Sequence, residues 1–357
     1  MKILMLVNWK IEYCISPPAD KQPPDFYAKD SDYWFYRYFQ GEHVVDVIDI
    51  SSFGALENFE KNVLHFYIHQ GLKAIRKLND YDLVVSHGMP SAVIVALWRR
   101  YHKTKAKHIV FDIGCFNSAA ESGTAMKLMQ YASKSIDGII YHTKCQYGYY
   151  KRHYSWLCKK SQFIRFGTDL DFFNPSDLTQ RYDNNNYIVC VGAVKRDWDT
   201  IVSAYKKLNT SLKLKLVGNV DDKYNNINGV EQISPVPVRE MIDIIYNSKL
   251  CVLPLKSYNY SYGQMTFLQQ MALGKCVIAA KVPSLEGYAE DGKTAVFYEP
   301  ENIDSCANAI KKVLDNPEFE KSIIKNAKFY LNNSCNEKVM AKEIESFYNK
   351  ILNKDRK

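Results

Sequence analysis

The sequence predicts an α/β protein built from two Rossmann-like, doubly wound domains that face each other across a cleft. Three observations carry that expectation. Short apolar runs alternate with helix-period stretches through residues 2–165, and the alternation restarts at Tyr187; strands alternating with helices imply βαβ units and parallel sheets. A polar segment containing Gly167 and Pro175, residues 166–186, separates the two series and has the composition of a linker. A length of 357 residues corresponds to about two domains.

In the first series the strand candidates are residues 2–7, 43–50, 82–86, 107–111, 137–141 and 161–165. Each is a short apolar run of the kind a sheet covered on both faces requires. Helix-period stretches lie near residues 57–78, 90–101, 119–135 and 144–156. Residues 8–35 break the rhythm with Pro17, Pro18, Pro23, Pro24 and several aspartates, then the cluster Tyr33, Trp34, Phe35 and Tyr36. They read as a long mobile loop followed by a short helix. In the second series the strands are residues 187–191, 212–217, 250–253, 276–279 and 295–298, with helices near 198–208, 239–247, 265–273 and 303–314. From Pro317 the chain reads as helical and rich in Lys and Glu.

Composition narrows the class. The chain is 46% hydrophobic and 13% aromatic, the reverse of a disordered composition. Its longest apolar run, residues 92–98, falls far short of the ~20 residues of a membrane-spanning helix. Residues 3–7 are too few for a signal-peptide core of ~7–15 residues. Nine cysteines, an odd number with no C-x-x-C pair, read as small buried hydrophobes in a reducing, cytoplasmic setting. Lys and Arg outnumber Asp and Glu 47 to 39, a net +8 that suggests an anionic partner. All eight histidines lie between His43 and His153, so any imidazole chemistry belongs to the first half.

In open parallel sheets ligands sit beyond the carboxyl ends of the strands. That points to Asn8, His87, Asp112, His142, Gly192, Gly218 and Pro254. After Gly192 come Lys195 and Arg196 and then a helix start. Cations there oppose the helix dipole, so an anion such as a diphosphate is the natural third party; the alternative is a solvated helix start. A second anion site is expected at the helix that begins near Gly263, Gln264, Met265 and Thr266, with Ser261 and Gln269 adding hydrogen-bonding groups. Three D-x-D pairs, at Asp30/Asp32, Asp169/Asp171 and Asp197/Asp199, fall in a loop, a linker and a helix start, and no metal site is expected from them. Neither G-x-G-x-x-G after the first strand nor G-x-x-x-x-G-K-[ST] is present. Cations interleaved with aromatics at residues 99–107 and 147–160 fit an anionic membrane surface better than nucleic acid; an ordinary solvated helix face is the alternative.

Taken in order, these segments resemble glycosyltransferase family 4, the retaining, nucleotide-sugar-dependent enzymes of GT-B architecture. Residues 166–175 are similar to the family's interdomain N-G-V-D-x-x-x-F-x-P. Residues 191–204 are similar to its glycine-strand segment, which puts Arg196 on the diphosphate-binding lysine and Ala193 on the arginine, with Lys195 a substitute. Met271-Ala272-Leu273-Gly274-Lys275-Cys276-Val277-Ile278 looks like M-A-x-G-x-P-V-I, and Glu290-Asp291-Gly292 opens a segment similar to E-D-G-x-x-G-L-L. The family's E-x7-E falls on Ser261 and Gln269, as in a branch with Gln in place of the second Glu, and its H-D pair falls on Phe111 and Asp112.

The resemblance implies an acceptor-side domain at residues 1–170, a donor domain at 177–335 and a last helix, 336–357, crossing back to the first domain. It implies transfer of a sugar from a nucleoside-diphosphate donor, UDP-sugar above all, to a hydroxyl acceptor such as a sugar or lipid-linked sugar, in surface polysaccharide or glycolipid assembly at the inner face of a membrane. No cofactor, metal or nucleic acid is called for. Arg196, Asp112 and His87 are the catalytic candidates. Gly192, Lys195, Arg196, Val236, Pro237, Ser261, Gly263, Gln264, Met265, Thr266 and Gln269 are the donor-binding candidates, with Val236 and Pro237 placed by register alone. Two rivals remain: a sugar-nucleotide epimerase of the same build, and a non-catalytic nucleotide-sugar-binding or scaffold partner.

Overall fold

The computed structural model describes residues 1–114, 116, 121–177, 186–192 and 194–353. In chain order the first half runs β1 (Lys2–Leu6), β2 (Glu12–Cys14), β3 (Phe26–Ala28), β4 (Val44–Ile48), α1 (Gly54–Phe59), α2 (Ile68–Ile75), β5 (Leu83–His87), α3 (Met89–Arg99), β6 (Lys107–Asp112), α4 (Thr124–Ser133), β7 (Gly138–Tyr141), α5 (Cys145–His153) and β8 (Ser161–Phe163). The second half runs β9 (Tyr187–Val191), α6 (Trp198–Lys207), β10 (Lys213–Val217), β11 (Val230–Ile233), α7 (Val238–Tyr246), β12 (Leu250–Leu253), α8 (Gln264–Ala272), β13 (Val277–Ala280), β14 (Val296–Tyr298), α9 (Ile303–Leu314), α10 (Pro317–Ser334) and α11 (Glu337–Leu352).

Each half closes into a six-stranded parallel sheet, ordered β4-β1-β5-β6-β7-β8 and β11-β10-β9-β12-β13-β14. The central strands β9, β12 and β13 are buried at every residue, as helices on both faces demand. Strand order reverses between β1 and β5 in one sheet and between β9 and β12 in the other. Helices on either side of such a reversal diverge, so a crevice opens beyond the strand ends. Asn8 and His87 stand at the first crevice, Gly192 and Pro254 at the second.

Several expectations are corrected. The loop over residues 8–35 carries the parallel pair β2/β3. It is tied down because Trp9 Nε1 and the Tyr33 hydroxyl both donate to the Pro24 carbonyl, at 3.2 and 2.9 Å. The helix read into residues 57–78 is broken by His65 in the left-handed region (φ 57°). Buried Glu60 enforces the break, its carboxylate accepting from the His69 amide at 2.8 Å to cap α2. In the segment 147–160, Tyr149, Tyr150 and Tyr154 are core residues, so it offers cations but few exposed rings. Arg99 is likewise consumed, binding Thr104, the Ser135 carbonyl and Asp137. Exposed Tyr101 and Tyr131 keep the aromatic surface near residue 99. The polar linker stretch 182–185 lies outside the described residues.

Helix α11 leaves the second lobe and buries Met340, Ile344, Phe347, Tyr348 and Ile351 against Ile3, Met5, Leu83 and Phe111 of the first. Gly138 admits it, since any Cβ there would lie 3.0 Å from the Phe347 ring. At its start the buried Glu337 carboxylate accepts from Trp34 Nε1 (2.9 Å) and from Arg37 (2.8 Å), which also binds Asp169 at 2.8 Å. One guanidinium thus serves two buried carboxylates. Burial, with Asp169 adding to it and Arg37 opposing, raises the Glu337 pKa from 4.5 to about 8.

The folded state therefore holds this proton more tightly than the unfolded chain does. That stabilisation is complete below pH 4.5 and is lost as pH rises through 8. Between pH 5 and 8 the Tm of the native protein should fall by on the order of 3–6 °C more than that of Glu337→Gln, measured by calorimetry. Parallel pH profiles for the two proteins would show that Glu337 is not the titrating group.

Candidate functional site

The second lobe's crevice is built by two turns. Gly192 follows β9 with φ at 153°, and its amide donates to the Val217 carbonyl at 2.9 Å. A Cβ there would meet the Arg196 guanidinium at 2.2–2.4 Å, so the guanidinium lies directly on the glycine backbone. The chain then pairs back on the segment after β12: Arg196 bridges Leu255, and the Asp197 amide donates to the Pro254 carbonyl at 2.7 Å. Asp197 Oδ1 caps α6 through the Thr200 amide at 3.2 Å, which accounts for one member of the third D-x-D.

The Arg196 side chain donates to the Val191 carbonyl (3.0 Å), the Val194 carbonyl (3.1 Å) and Thr266 Oγ1 (3.4 Å). All three are neutral oxygens. Desolvation brings the guanidinium pKa down to about 10, the mark of a half-buried cation whose surroundings under-compensate its charge. Thr266 belongs to the first turn of α8, whose amides have no acceptor within the helix. Gly263 makes that turn as the left-handed N-cap (φ 82°). Arg196, Thr266 and the α8 tip thus converge on one spot at the β9/β12 reversal, where an anion would meet a charge, a hydroxyl and free amides together.

The other candidates are placed as follows. Lys195 takes the left-handed conformation (φ 59°) beside Arg196. Met265 is exposed on the first turn of α8. The Ser261 hydroxyl donates to Gln264 Oε1 at 3.3 Å. Gln264 is buried and donates to Thr143 Oγ1 of the first lobe (2.8 Å) and to the Ser284 carbonyl (2.7 Å), so it ties the lobes together. Gln269 Nε2 donates to Gln22 Oε1 at 3.1 Å, and Gln22 lies on the first lobe's loop between β2 and β3. Pro237 caps α7, and Val236 packs on the second lobe's core. Next to them Arg239 donates to the Ala19 carbonyl at 2.6 Å, a second contact from the same loop. Ala193 lies outside the described residues.

In the first lobe His87 sits at the β1/β5 crevice. Its Nδ1 is 3.1 Å from Asn8 Oδ1, its ring meets Trp9 edge-on at 4.7 Å, and it stacks on Phe111 at 5.9 Å. Phe111 stacks in turn on His142, whose Nδ1 is 2.8 Å from the Ile164 carbonyl. Burial, together with His142, lowers the His87 pKa to about 3, and burial lowers that of His142 to about 4. Both rings are neutral near pH 7. Asp112 points elsewhere: it is fully buried and its carboxylate accepts from the Tyr150 hydroxyl (2.5 Å) and the Gly114 (2.9 Å) and Phe116 (3.4 Å) amides. It fixes the backbone at Gly114 and Phe116, and both of its carboxylate oxygens are engaged within the first lobe. Alternation along β6 explains the split, since Phe111 and Asp112 project to opposite faces.

Sequence reasoning missed Thr143, Tyr288, Gln22 and Arg239. Tyr288 donates to the His142 carbonyl (2.6 Å) and accepts from the Phe166 amide (2.9 Å), a strut between the lobes. The prolines around residue 22 were read as part of a mobile loop, which hid the contacts that Gln22 and Ala19 make.

Residues 176–329 match the family model for glycosyl transferases, group 1. No protein of curated function matches the sequence significantly. Solved structures match much further along the chain. A sucrose-phosphate synthase from Thermosynechococcus elongatus is 17% identical with a TM-score of 0.70, over 98% of this chain and 99% of that one. A glycosyltransferase from Rickettsia africae is 17% identical with a TM-score of 0.68, over 87% and 91%. Anabaena HepE in complex with UDP-glucose is 13% identical with a TM-score of 0.69, over 98% and 100%. At these identities the likeness shows the fold, two facing parallel-sheet domains of the GT-B kind.

Proposed function

We propose that the chain is a glycosyltransferase that moves a sugar, with retention, from a nucleoside-diphosphate donor to a hydroxyl acceptor. One observation carries the reading: a half-buried guanidinium that, among the described residues, is bonded to neutral oxygens alone, touching the open first turn of α8, in the part of the chain that matches the group 1 model. Leaving-group departure builds charge on the diphosphate. Arg196, Lys195 and the α8 amides would stabilise that charge as fixed groups, without a metal. Retention follows if the leaving phosphate oxygen itself takes the acceptor proton; then no protein base is needed, and neutral His87 would serve as a hydrogen-bonding wall of the acceptor side. UDP is the favoured donor nucleotide because HepE, of the same fold, is solved with UDP-glucose. A lipid-linked acceptor at an anionic membrane would meet the exposed Trp98, Tyr101 and Tyr131 face.

The test is a thermal-shift panel of UDP, GDP, ADP and their sugars, followed by donor turnover. A ligand at 100 times its Kd adds about 2.7 kcal/mol, a shift of several degrees. One nucleotide should raise the Tm in the wild type and not in Arg196→Ala, whose own Tm stays unchanged. No shift with any nucleotide, or an equal shift in Arg196→Ala, would defeat the reading. A second reading has one observation in its favour: Ser261 and Gln269 are uncharged and already hydrogen-bonded within the protein. Tight donor binding with neither transfer nor hydrolysis would identify a nucleotide-sugar-binding partner instead.

A further inference from the structure

Three tyrosines at alternate positions, Tyr258, Tyr260 and Tyr262, lie between β12 and α8. Their rings pack on one another: Tyr258 stacks on Tyr260 at 5.2 Å, and Tyr262 meets them at 5.6 Å from each. Into this cluster points the Lys195 ammonium, 4.1 Å from the centre of Tyr260, 5.6 Å from Tyr262 and 5.8 Å from Tyr258. A ring face is the negative end of an aromatic quadrupole, so three faces make a cation cage.

The arrangement is held from both ends. Lys195 occupies the left-handed region (φ 59°), which is uncommon for a residue with a side chain. The conformation persists because its carbonyl accepts from the Lys256 amide at 3.2 Å and its neighbour Arg196 bridges Leu255. The Tyr262 hydroxyl is anchored on the Lys256 carbonyl. Tyr260 is backed by the first lobe: a Cβ on Gly114 would come within 3.0–3.3 Å of its Cβ, Cδ2 and Cγ. Gly114 is the residue whose amide donates to Asp112. Tyr260 is therefore wedged between the donor-side lysine and Gly114, whose amide Asp112 holds.

A lysine carries four rotatable bonds and a compact, strongly hydrated charge, so an exposed one gains little by approaching an anion unless something restricts it. We propose that Tyr260, flanked by Tyr258 and Tyr262, is a positioning residue that holds the Lys195 ammonium beside the α8 tip for the donor's diphosphate. This rests on the donor-site reading given above. The hydroxyl of Tyr260 has no part in it; the ring face does the holding. Substituting Phe should therefore be tolerated, and removing the ring should act only through Lys195.

The experiment is a double-mutant cycle read by isothermal titration calorimetry with UDP, which carries phosphates but no sugar. Lys195→Met and Tyr260→Leu should each weaken UDP binding by about five- to tenfold. The double variant should bind no more weakly than Lys195→Met alone, and Tyr260→Phe should stay within about twofold of wild type. Each variant's Tm is measured alongside. Additive losses in the double variant, tighter UDP binding in Tyr260→Leu, or a Tyr260→Phe as weak as Tyr260→Leu would each overturn the proposal. A Tyr260→Leu defect confined to UDP-sugars would overturn it in favour of a sugar-stacking platform. Wild-type protein that binds no nucleoside diphosphate would defeat the donor-site reading itself, whereas wild-type binding with any of the preceding outcomes defeats only the role of Tyr260.

Discussion

If Arg196 holds the donor diphosphate as proposed, Gly192→Ala is expected to leave a folded protein whose donor turnover falls by about 10²- to 10³-fold, the usual cost of losing one preorganised donor to a developing anion. The added methyl would lie 2.2–2.4 Å from Nε, Cζ and Nη2 of Arg196, in a backbone conformation (φ 153°) that side chains rarely adopt. The backbone of β9 is held by its parallel pairing with β10 and β12, so the guanidinium is the part that yields. Leaving its seat breaks the bonds to the Val191 and Val194 carbonyls and to Thr266. The variant should then match Arg196→Ala in rate and in donor affinity, and combining the two should add nothing. Arg196→Lys should recover only part of the loss, since an ammonium keeps the charge but not the fork. The measurement is steady-state turnover of UDP-sugar together with circular dichroism. Unimpaired turnover by folded Gly192→Ala would show that the position of Arg196 does not matter.

The same crevice shows what the sequence could and could not display. The glycine after β9, the two cations and the helix that begins at Gly263 were legible because each is local: a strand, a turn and a cap are written within a few residues. The contacts that complete the site are not local. Gln264 was read as a helix-start residue facing an anion, yet its amide spans the lobes to Thr143, 121 positions away in sequence. Gln269 meets Gln22, 247 positions away. Periodicity carries no information about such pairs. Misread elements have equally physical causes. β11 is a four-residue strand on the sheet edge with only its first residue buried, so it lacks an apolar run. Tyr149, Tyr150 and Tyr154 looked like an interfacial belt because lysines and an arginine separate them, but burial by helix face is set by the partner helices, not by neighbours in sequence. Asp112 stands at a strand end as expected, but the sequence could not reveal that Tyr150 and two amides consume its carboxylate.

The linker carries the largest expected effect on stability. Residues 166–186 have the composition of a linker, and Gly167 lies near their start. A Cβ on Gly167 would fall 2.3 Å from both the carbonyl carbon and oxygen of Asn336 and 2.7 Å from the Glu337 amide nitrogen. These are backbone atoms, so no rotamer change relieves the clash. They cannot retreat, because Thr168 is stitched to the same segment: its amide donates to the Cys335 carbonyl at 3.1 Å and its carbonyl accepts from the Glu337 amide at 3.0 Å. Asn336 is the N-cap of α11, its side chain accepting from the Val339 amide at 2.9 Å. Gly167→Ala should therefore unseat α11 from the first lobe and cost about 3 kcal/mol or more, comparable to losing several buried contacts at once. A Tm lower by about 4 °C or more is expected, or insoluble expression. Gly54→Ala is the matched control: nothing lies within 4 Å of its added methyl, and a helix gains from the exchange, so its Tm should be unchanged or slightly raised. Because α11 is joined to the linker's backbone and buried in the first lobe, any closure of the cleft must either carry α11 with the first lobe or peel these two hydrogen bonds apart. A Gly167→Ala protein with native Tm would mean that the linker and the start of α11 separate at little cost, and the pivot would then lie at Thr168 itself.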